Sequence, residues 1–296
     1  MDMTGQATAD TADLAALPAA QLLKMERQIA RRHSGMFPWL ILVWAFGNMA
    51  CWLALWPLVF TGTLPLWAVF PIALINLSLV YLPTHEAQHD IIARPGTRLR
   101  WLNELVGHGT SWMIVYPFAM LRVTHLDHHR HANDPLLDPD HQISAKGPWS
   151  AVWTSIRERQ PNGRRQQDYL ASLERAGRKD LIALSLIYRL AYFAILFALA
   201  WTGHALEAFF LWWLPVQIGS TYLLFFLSWA PHHSGGQGRY RDTRSFRSPL
   251  GNIGSMGMQY HIVHHLHPYI PLTRTPAAYW EMRPILEARG CNIADL

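Results

Sequence analysis

The sequence predicts an all-α integral membrane protein with four transmembrane helices in two hairpins and a cytoplasmic helical cap that carries three histidine clusters. Three observations predict this fold class. Apolar residues make up 51% of the 296-residue chain, and they are concentrated in four long blocks. Nearly all Lys and Arg residues lie outside those blocks. Eight of the 16 histidines fall into three short clusters, which also lie in the charged segments.

The four apolar blocks occur in two pairs. Residues 37–60 and 66–82 contain no charged residue, and the segment TGTLP between them permits only a tight loop. Residues 181–201 and 205–230 are separated by TGH alone. Their lengths suit the hydrocarbon core of a bilayer. A large soluble protein with buried core helices is the alternative, but linkers rich in helix caps, which it would require, are absent here. We therefore predict four spans in two hairpins.

The 25 Lys and Arg residues are distributed asymmetrically. All but Arg189 lie in residues 1–36, 83–180 and 231–296, which the predicted spans place on one face of the membrane. This positive-inside pattern identifies the face as cytoplasmic. Membrane topology thus accounts for the net charge of +5 without nucleic acid. Both termini and all histidine clusters are predicted on that side. Arg189 lies within the third span, where it either snorkels to the interface or has a functional role.

The chain is predicted to contain an arm and one membrane domain. Residues 1–36 form the N-terminal cytoplasmic or interfacial arm, in which LPAAQLLKMERQIARR has the pattern of an amphipathic helix. Residues 37–296 form the membrane domain. Cys51 lies inside the first span and Cys291 near the cytoplasmic end, so we expect no disulfide.

The histidine clusters carry the candidate chemistry. They read HEAQH, THLDHH and YHIVHH, with spacings that place the members of each cluster on one face of a helix. HEAQH alone matches a zinc-protease motif in which Glu86 activates water. Zinc sites are normally four-coordinate, however, and would leave most of the histidines unused. Two metal ions with several ligands each would use them. The cluster histidines are His85, His89, His125, His128, His129, His261, His264 and His265.

The trio HxxxH, HxxHH and HxxHH, interleaved with two membrane hairpins, resembles the integral-membrane fatty acid desaturase and hydroxylase superfamily. The flanking stretches HEAQHD, RVTHLDHHRHANDPLLDPDH, WAPHH and QYHIVHHLHPYIP look most like the desaturase-like β-carotene hydroxylases. The resemblance covers residues 37–291. It implies a non-haem di-iron centre held by the eight cluster histidines, with His232 as a candidate ninth ligand and no catalytic residue beyond the metal centre.

Further polar residues of these motifs are expected to support the ligands. A carboxylate that accepts the free N–H of a ligating imidazole fixes its tautomer and raises its basicity. For the acids of DPLLDPD, a capped turn with solvated charges is the alternative. The expected supporting residues are Glu86, Asp127, His131, Asp134, Asp138, Asp140 and His141.

The resemblance implies that dioxygen and two electrons are used to hydroxylate the β-ionone ring of β-carotene at carbon 3, toward zeaxanthin. A fatty acyl-lipid desaturase is the alternative within the superfamily. The chain has no dinucleotide-binding fingerprint, and two separated cysteines cannot hold an iron–sulfur cluster. Electrons must therefore come from a donor such as a ferredoxin or a cytochrome b5-like protein. A zinc protease that uses only HEAQH and a metal transporter remain as hypotheses of other classes.

Overall fold

The computed structural model describes residues 11–141, 145–160, 163–294 and 296, and all regular structure in these ranges is helical. The all-α fold class is therefore confirmed. The chain forms two compact units, of which unit 1 comprises Met1–Met36 with Ser234–Leu296 and unit 2 comprises Phe37–His233. The first boundary coincides with the end of the predicted arm. The division into arm and membrane domain, the hairpins and the cytoplasmic cap stay predictions.

The α-helices are numbered in chain order. They are α1 Thr11–Ala15, α2 Ala19–His33, α3 Trp39–Phe60, α4 Leu66–Leu79, α5 Tyr81–Gln88, α6 Arg100–Met113, α7 Phe118–His131, α8 Pro148–Arg157, α9 Arg164–Arg175, α10 Asp180–Trp201, α11 Ala205–Ala208, α12 Leu214–Leu223, α13 Ala230–His232, α14 Gly251–Gly254, α15 His261–Leu266 and α16 Thr275–Ala288. Two π-helical turns, π1 (Phe209–Trp213) and π2 (Leu224–Trp229), and a 3₁₀ turn, Met258–Tyr260, complete the described elements.

Four helical stretches of unit 2 are long and apolar enough to cross a membrane. They are Trp39–Phe60, Leu66–Gln88, Asp180–Trp201 and Ala205–His232. All four predicted spans are thus present. The second and the fourth continue beyond the predicted blocks, and the second includes α5, which carries His85 and ends directly before His89. The span therefore positions the first histidine cluster directly.

Helices of unit 2 pack closely where glycine permits. α12 lies against α4 at Gly219, where a Cβ atom would be 3.2 Å from the carbonyl oxygen of Leu77. α6 contacts the start of α7 at Gly107, where a Cβ atom would be 2.6 Å from the ring of Phe118. That ring is buried in an apolar cluster with side chains of α3, α5 and α6. The start of α7, which carries the second histidine cluster, is therefore fixed by packing.

Tryptophan side chains hold the fourth span at its two π turns. Trp52 of α3 donates its indole N–H to a backbone carbonyl inside π1 at 3.0 Å. Trp212, in π1, donates to the carbonyl of Met113 at 2.8 Å. Trp229, in π2, donates to a loop carbonyl at 2.8 Å. A buried indole usually has a hydrogen-bond partner, so these bonds fix the rotation of the span that ends at His232.

Unit 1 is built around α16, which packs against α1, α2 and α15. Its core joins Leu22 and Ile29 of α2 to Tyr279 and Met282 of α16. The amphipathic helix expected in the N-terminal segment is thus present as α2, and protein covers its apolar face. The same face carries the fully buried carboxylate of Glu26.

Candidate metal centre

α5 and its C-cap residue carry the first histidine pair. His85 is buried on α5, and His89 directly follows the helix. Their ring centroids lie 5.1 Å apart, because side chains four residues apart project from the same side of a helix. Glu86 is also fully buried on α5.

α7 brings the second histidine cluster against the first. The Nε2 atom of His125 lies 2.8 Å from Nε2 of His89 and 3.1 Å from Nε2 of His129. The ring centroid of His85 is 4.6 Å from that of His125. One ring nitrogen from each of these four residues, the four-histidine group, lies within 4.8 Å of the others. Two imidazole nitrogens bound to one metal ion at about 2.1 Å would stand about 3 Å apart. The spacing therefore suits a ligand set.

The environment of this group favours the neutral form of two of its imidazoles. Burial, together with His85 and Arg122, lowers the pKa of His89 well below its ordinary value of 6.5. Burial and the adjacent histidines shift the pKa of His125 in the same direction. Only a neutral imidazole has a lone pair to give to a metal. The donor set thus fits a metal ion, and nitrogen ligands suit iron, copper, zinc or nickel.

His128 forms a separate pair, although it belongs to the second cluster. Its Nε2 atom lies 3.2 Å from Nε2 of His232, the last residue of α13. Successive residues of a helix are rotated by about 100°, so His128 and His129 have different neighbours. The expectation that the whole cluster shares one face is therefore only partly right. His232, which was expected from WAPHH as a ninth ligand, thus lies beside the cluster histidine His128.

Asp138 has the geometry of a supporting carboxylate. Its Oδ1 atom lies 2.8 Å from Nδ1 of His128, so it can accept the Nδ1–H and leave Nε2 for a metal. It also accepts the backbone N–H groups of Asn133 at 2.8 Å and Asp140 at 2.9 Å. Burial alone would raise the pKa of Asp138, but its hydrogen bonds with His128 and with the backbone N–H of Asp140 lower it. A charged carboxylate is thus held beside this imidazole.

Other expected supporting residues contact different parts of unit 2. Asp127 accepts the hydroxyl of Ser172 at 2.6 Å and a guanidinium N–H of Arg175 at 2.7 Å, which ties α7 to α9. The Nδ1 atom of His131 is 3.1 Å from Oδ1 of Asp127. Within the described ranges, neither His131 nor His141 joins a group spaced for a metal.

Two further acids support local structure. Asp134 accepts the backbone N–H of Leu136 at 2.8 Å, which is the turn role considered for DPLLDPD. Asp140 accepts the hydroxyl of Tyr169 at 3.1 Å. These contacts order the segment that follows α7 and positions Asp138.

The third cluster lies in unit 1, on the short helix α15. The ring centroid of His261 is 4.6 Å from that of His265 and 5.2 Å from that of His264. Nδ1 of His265 lies 3.6 Å from a carboxylate oxygen of Asp242. The three expected ligands of this cluster are thus gathered on one element of unit 1.

A charged network beside His89 was not predicted from the sequence. Asp90, the next residue, has a φ of +58° and accepts hydrogen bonds from Arg122 at 2.5 Å and from Arg100. Arg100 also pairs with Glu104. The network joins the end of the first histidine cluster to α6 and α7. In the sequence, two features indicate this network: Asp90 directly follows HEAQH, and Arg100 and Glu104 are four residues apart.

A second unpredicted network lies in unit 1, around Glu26. Its carboxylate lies 2.9 Å from Nε2 of His267 and accepts hydrogen bonds from Arg239 at 3.1 Å and Tyr240 at 3.0 Å. Burial would raise the pKa of Glu26, but these hydrogen bonds lower it below its ordinary value of 4.5. The signal in the sequence is an acid on the apolar side of an amphipathic helix. Through His267 the network holds the residue that follows α15.

The fold and the histidine groups define a helical membrane protein with nitrogen-rich sites that can hold metal. The sequence model of the fatty acid desaturase family matches residues 61–295. The chain belongs to this family, and the superfamily resemblance is thereby confirmed.

Curated relatives fall into two groups. A zeaxanthin 4-ketolase of Chlamydomonas reinhardtii is 26% identical over 251 residues, which are 81% of this chain and 49% of the ketolase. An sn-1 oleoyl-lipid 12-desaturase of Anabaena variabilis is 36% identical over 74 residues, 25% of this chain and 21% of the relative. A second sn-1 oleoyl-lipid 12-desaturase, from Synechocystis sp., is 33% identical over 84 residues, which are 28% of this chain and 22% of the relative. The chain thus spans about half the length of the ketolase and less of the desaturases.

Proposed function

We propose that the protein is a membrane oxygenase with a non-haem di-iron centre, which hydroxylates the β-ionone ring of β-carotene at carbon 3, toward zeaxanthin. The observation that carries this proposal is the four-histidine group, whose nitrogens lie within 4.8 Å of one another. Membership of the desaturase family supports an oxidoreductase. The zeaxanthin 4-ketolase among the relatives supports a carotenoid ring as the substrate.

The proposed iron ligands are the eight cluster histidines and His232. The four-histidine group would hold one ion, and the pair of His128 and His232 would hold the other. The three histidines of α15 are included because the family resemblance implies all eight cluster histidines as ligands. When bound, the irons would supply the chemistry that inserts one oxygen atom of dioxygen into a C–H bond and releases the other as water, using two electrons and two protons. Burial favours the neutral form of His89 and His125, and Asp138 would fix the proton of His128 on Nδ1.

We propose that the site and both termini face the cytoplasm. The basic segments 1–36, 83–180 and 231–296 support this orientation, since they follow the positive-inside pattern. A lipophilic substrate would reach the irons from the bilayer, between the apolar spans. An acidic electron donor, such as a ferredoxin or a cytochrome b5-like protein, would dock on the basic face.

The second candidate is a fatty acyl-lipid desaturase. The oleoyl-lipid 12-desaturases of Anabaena variabilis and Synechocystis sp. favour it. Hydroxylation and desaturation differ in whether a hydroxyl group is transferred or a second hydrogen is removed. Small differences in the position of the substrate decide between these outcomes.

Expression in bacteria that accumulate β-carotene, together with a ferredoxin and its reductase, tests the proposal. Pigment chromatography should show hydroxylated carotenoids. His125→Ala and His264→Ala should both abolish them, whereas a zinc protease would tolerate both changes and lose its activity with Glu86→Gln.

The other outcomes are equally informative. Keto products without hydroxylated ones would contradict reaction at carbon 3. Unchanged pigments with newly unsaturated acyl chains would establish the desaturase. Unchanged pigments and lipids, with folded, iron-loaded protein and a working donor, would contradict both candidates.

A further inference from the structure

A cavity of about 250 Å³ in unit 2 combines an apolar lining with clustered arginines. Met120, Leu173, Ile182 and Leu186 contribute apolar side chains from α7, α9 and α10. The cavity is also lined by three cations and one acid, namely Arg159, Arg165, Arg189 and Glu158. An amphiphilic ligand with a negative charge would match this combination.

The acid and one of the arginines already have charged partners. Glu158 accepts a hydrogen bond from Arg157 at 2.9 Å and another from the backbone N–H of Arg164 at 2.7 Å. Arg165 donates to the hydroxyl of Tyr169 at 2.6 Å and lies 3.8 Å from a carboxylate oxygen of Asp140. The remaining two arginines, Arg159 and Arg189, therefore determine the charge that a ligand in the cavity would meet.

Those two arginines bind neutral acceptors. Arg159 donates to the carbonyl of Gln217 at 2.7 Å and to the hydroxyl of Thr221 at 2.8 Å. Its Nε–H is buried and has no hydrogen-bond partner in the part of the chain that the structure describes. Arg189 donates to the side-chain oxygen of Gln166 at 3.3 Å. A partly buried guanidinium without a counter-ion is unfavourable, and burial lowers the pKa of Arg159. An anion would remove this cost.

The place of the cavity along the third span points to a membrane lipid. Its lining on α10 runs from Ile182 to Arg189, near the first residue of the span, Asp180. At a rise of 1.5 Å per residue, Arg189 lies about 14 Å along the helix from that residue. Side chains of a helix point toward its N-terminus, so the guanidinium of Arg189 reaches back toward the start of the span, where it binds Gln166. The lining therefore lies between the headgroup layer and the first part of the acyl chains. A soluble anion would leave its apolar part unfilled.

The neighbouring helix α8 has the surface of an interfacial helix. It ends directly before Glu158 and Arg159, and it exposes Trp149 and Trp153 by 85% and 65%. The two indoles are four residues apart and share one face. Tryptophan is enriched at the headgroup level of membranes. α8 thus places Arg159, two residues beyond its end, at the depth where lipid phosphates lie.

We propose that this cavity binds an anionic membrane phospholipid, with the phosphate at Arg159 and Arg189 and an acyl chain beside Leu186. The proposed site is separate from the histidine groups and does not rest on the proposed reaction. It assigns Arg189 a functional role in place of simple snorkelling.

Native mass spectrometry of the purified full-length protein, titrated with phosphatidylglycerol or phosphatidylcholine, tests the proposal. We expect preferential binding of phosphatidylglycerol. Arg159→Gln and Arg189→Gln should each weaken it by about tenfold, as expected for the loss of a charge-assisted hydrogen bond. Arg98→Gln removes an equal charge from an exposed position outside the cavity and should have no effect.

A further variant and a competitor separate the lipid from other ligands. Leu186→Trp should weaken lipid binding by filling the apolar part of the cavity without changing its charge. Inorganic phosphate should not displace the lipid. Equal binding by the wild type and both arginine variants, an equal loss in Arg98→Gln, or displacement by inorganic phosphate would each overturn the proposal. Thermal unfolding of every variant shows whether a loss reflects misfolding.

Discussion

The two units of this protein hold their histidines by different means. In unit 2 the imidazoles belong to helices that are fixed against long spans, and they contact one another across helices, as His89 and His125 do at 2.8 Å. In unit 1 they lie on α15, which has six residues, and a buried carboxylate holds the residue that follows it. The first arrangement depends on close packing together with charged partners such as Asp90 and Asp138, whereas the second depends mainly on compensated charge. Substitutions should therefore affect the two units in different ways.

His125→Ala should have the largest effect, because the Nε2 atom of His125 lies between those of His89 and His129. We expect oxidation to fall to background and bound iron to fall by about half, since one of the two proposed ions loses a central ligand. Metal analysis of the purified protein measures this. His204→Ala, a partly exposed histidine outside the clusters, is the matched control. Full iron content in His125→Ala would contradict the ligand assignment.

Glu26→Gln should break the charge-based arrangement of unit 1. It leaves Arg239 and Arg289, whose guanidinium nitrogens lie 3.1 Å and 3.4 Å from the carboxylate oxygens of Glu26, beside a neutral amide. We expect a loss of about 3 kcal/mol in the free energy of unfolding. Hydrogen exchange in α15 and α16 reports the loss. Glu281→Gln removes an exposed acid that pairs with Arg32 at 2.7 Å, and it should cost at most about 1 kcal/mol. Similar exchange in both variants would show that the buried network contributes little.

Asp138→Asn tests whether the four-histidine group and the pair of His128 and His232 bind separate ions in unit 2. The amide cannot support the His128 imidazole as a carboxylate does, so we expect about 10- to 100-fold weaker binding of the ion at His128 and His232. The other ion should be unaffected. Chelator competition resolves the two affinities. Asp134→Asn changes a neighbouring acid with a turn role and serves as the control. Equal weakening of both ions would argue against separate sites.

Gly107→Ala tests the packing of unit 2. The added methyl group would lie 2.6 Å from the ring of Phe118, and overpacking of this kind costs about 1–3 kcal/mol. Thermal unfolding in detergent should show a lower midpoint. Gly47→Ala on α3 has no atom within 4 Å of the new Cβ and should leave the midpoint unchanged or slightly raised. An unchanged midpoint for Gly107→Ala would mean that Phe118 is free to move.

Mild acid should give the smallest effect on unit 1. The pKa of Glu26 is lowered below 4.5 on folding, so its contribution to stability is complete above that value. The contribution is lost as the pH falls through the lowered pKa of the folded state. Hydrogen exchange in α15 should increase in this range for the wild type. Glu26→Gln should show a smaller increase, and an equal increase would assign the effect to other groups.

The positions of the spans could be predicted well from the sequence, because each span is an apolar run with few or no charged residues. Residues 37–60 became the helix Trp39–Phe60, and residues 181–201 became Asp180–Trp201. It did not predict that the second span would continue through α5, since His85 and Glu86 end the apolar pattern. Backbone hydrogen bonding continues there because the polar side chains are buried among partners rather than among lipids.

The candidate site was predictable in its residue types more than in its geometry. Spacing placed His125 and His129 together, but it also assigned His128 to them, because pairs at three and four residues look alike in a sequence. Among equivalent acids, only the fold distinguishes Asp138, which lies at His128, from Asp127, which lies at Arg175. Such choices depend on contacts between distant segments, and local patterns do not record them.

The fourth span reaches His232 through two π turns, each of which accommodates one more residue than the α-helical path around it. Deletion of a single residue in π2 would convert it to a regular α-helical turn and leave His232 close to its present direction. Deletion of one residue in α12 would instead rotate everything that follows by about 100°. His232 would then turn away from His128, although the span would still be long enough to cross the bilayer. The π turns are therefore the places where this span can lose a residue and still keep the ligand geometry.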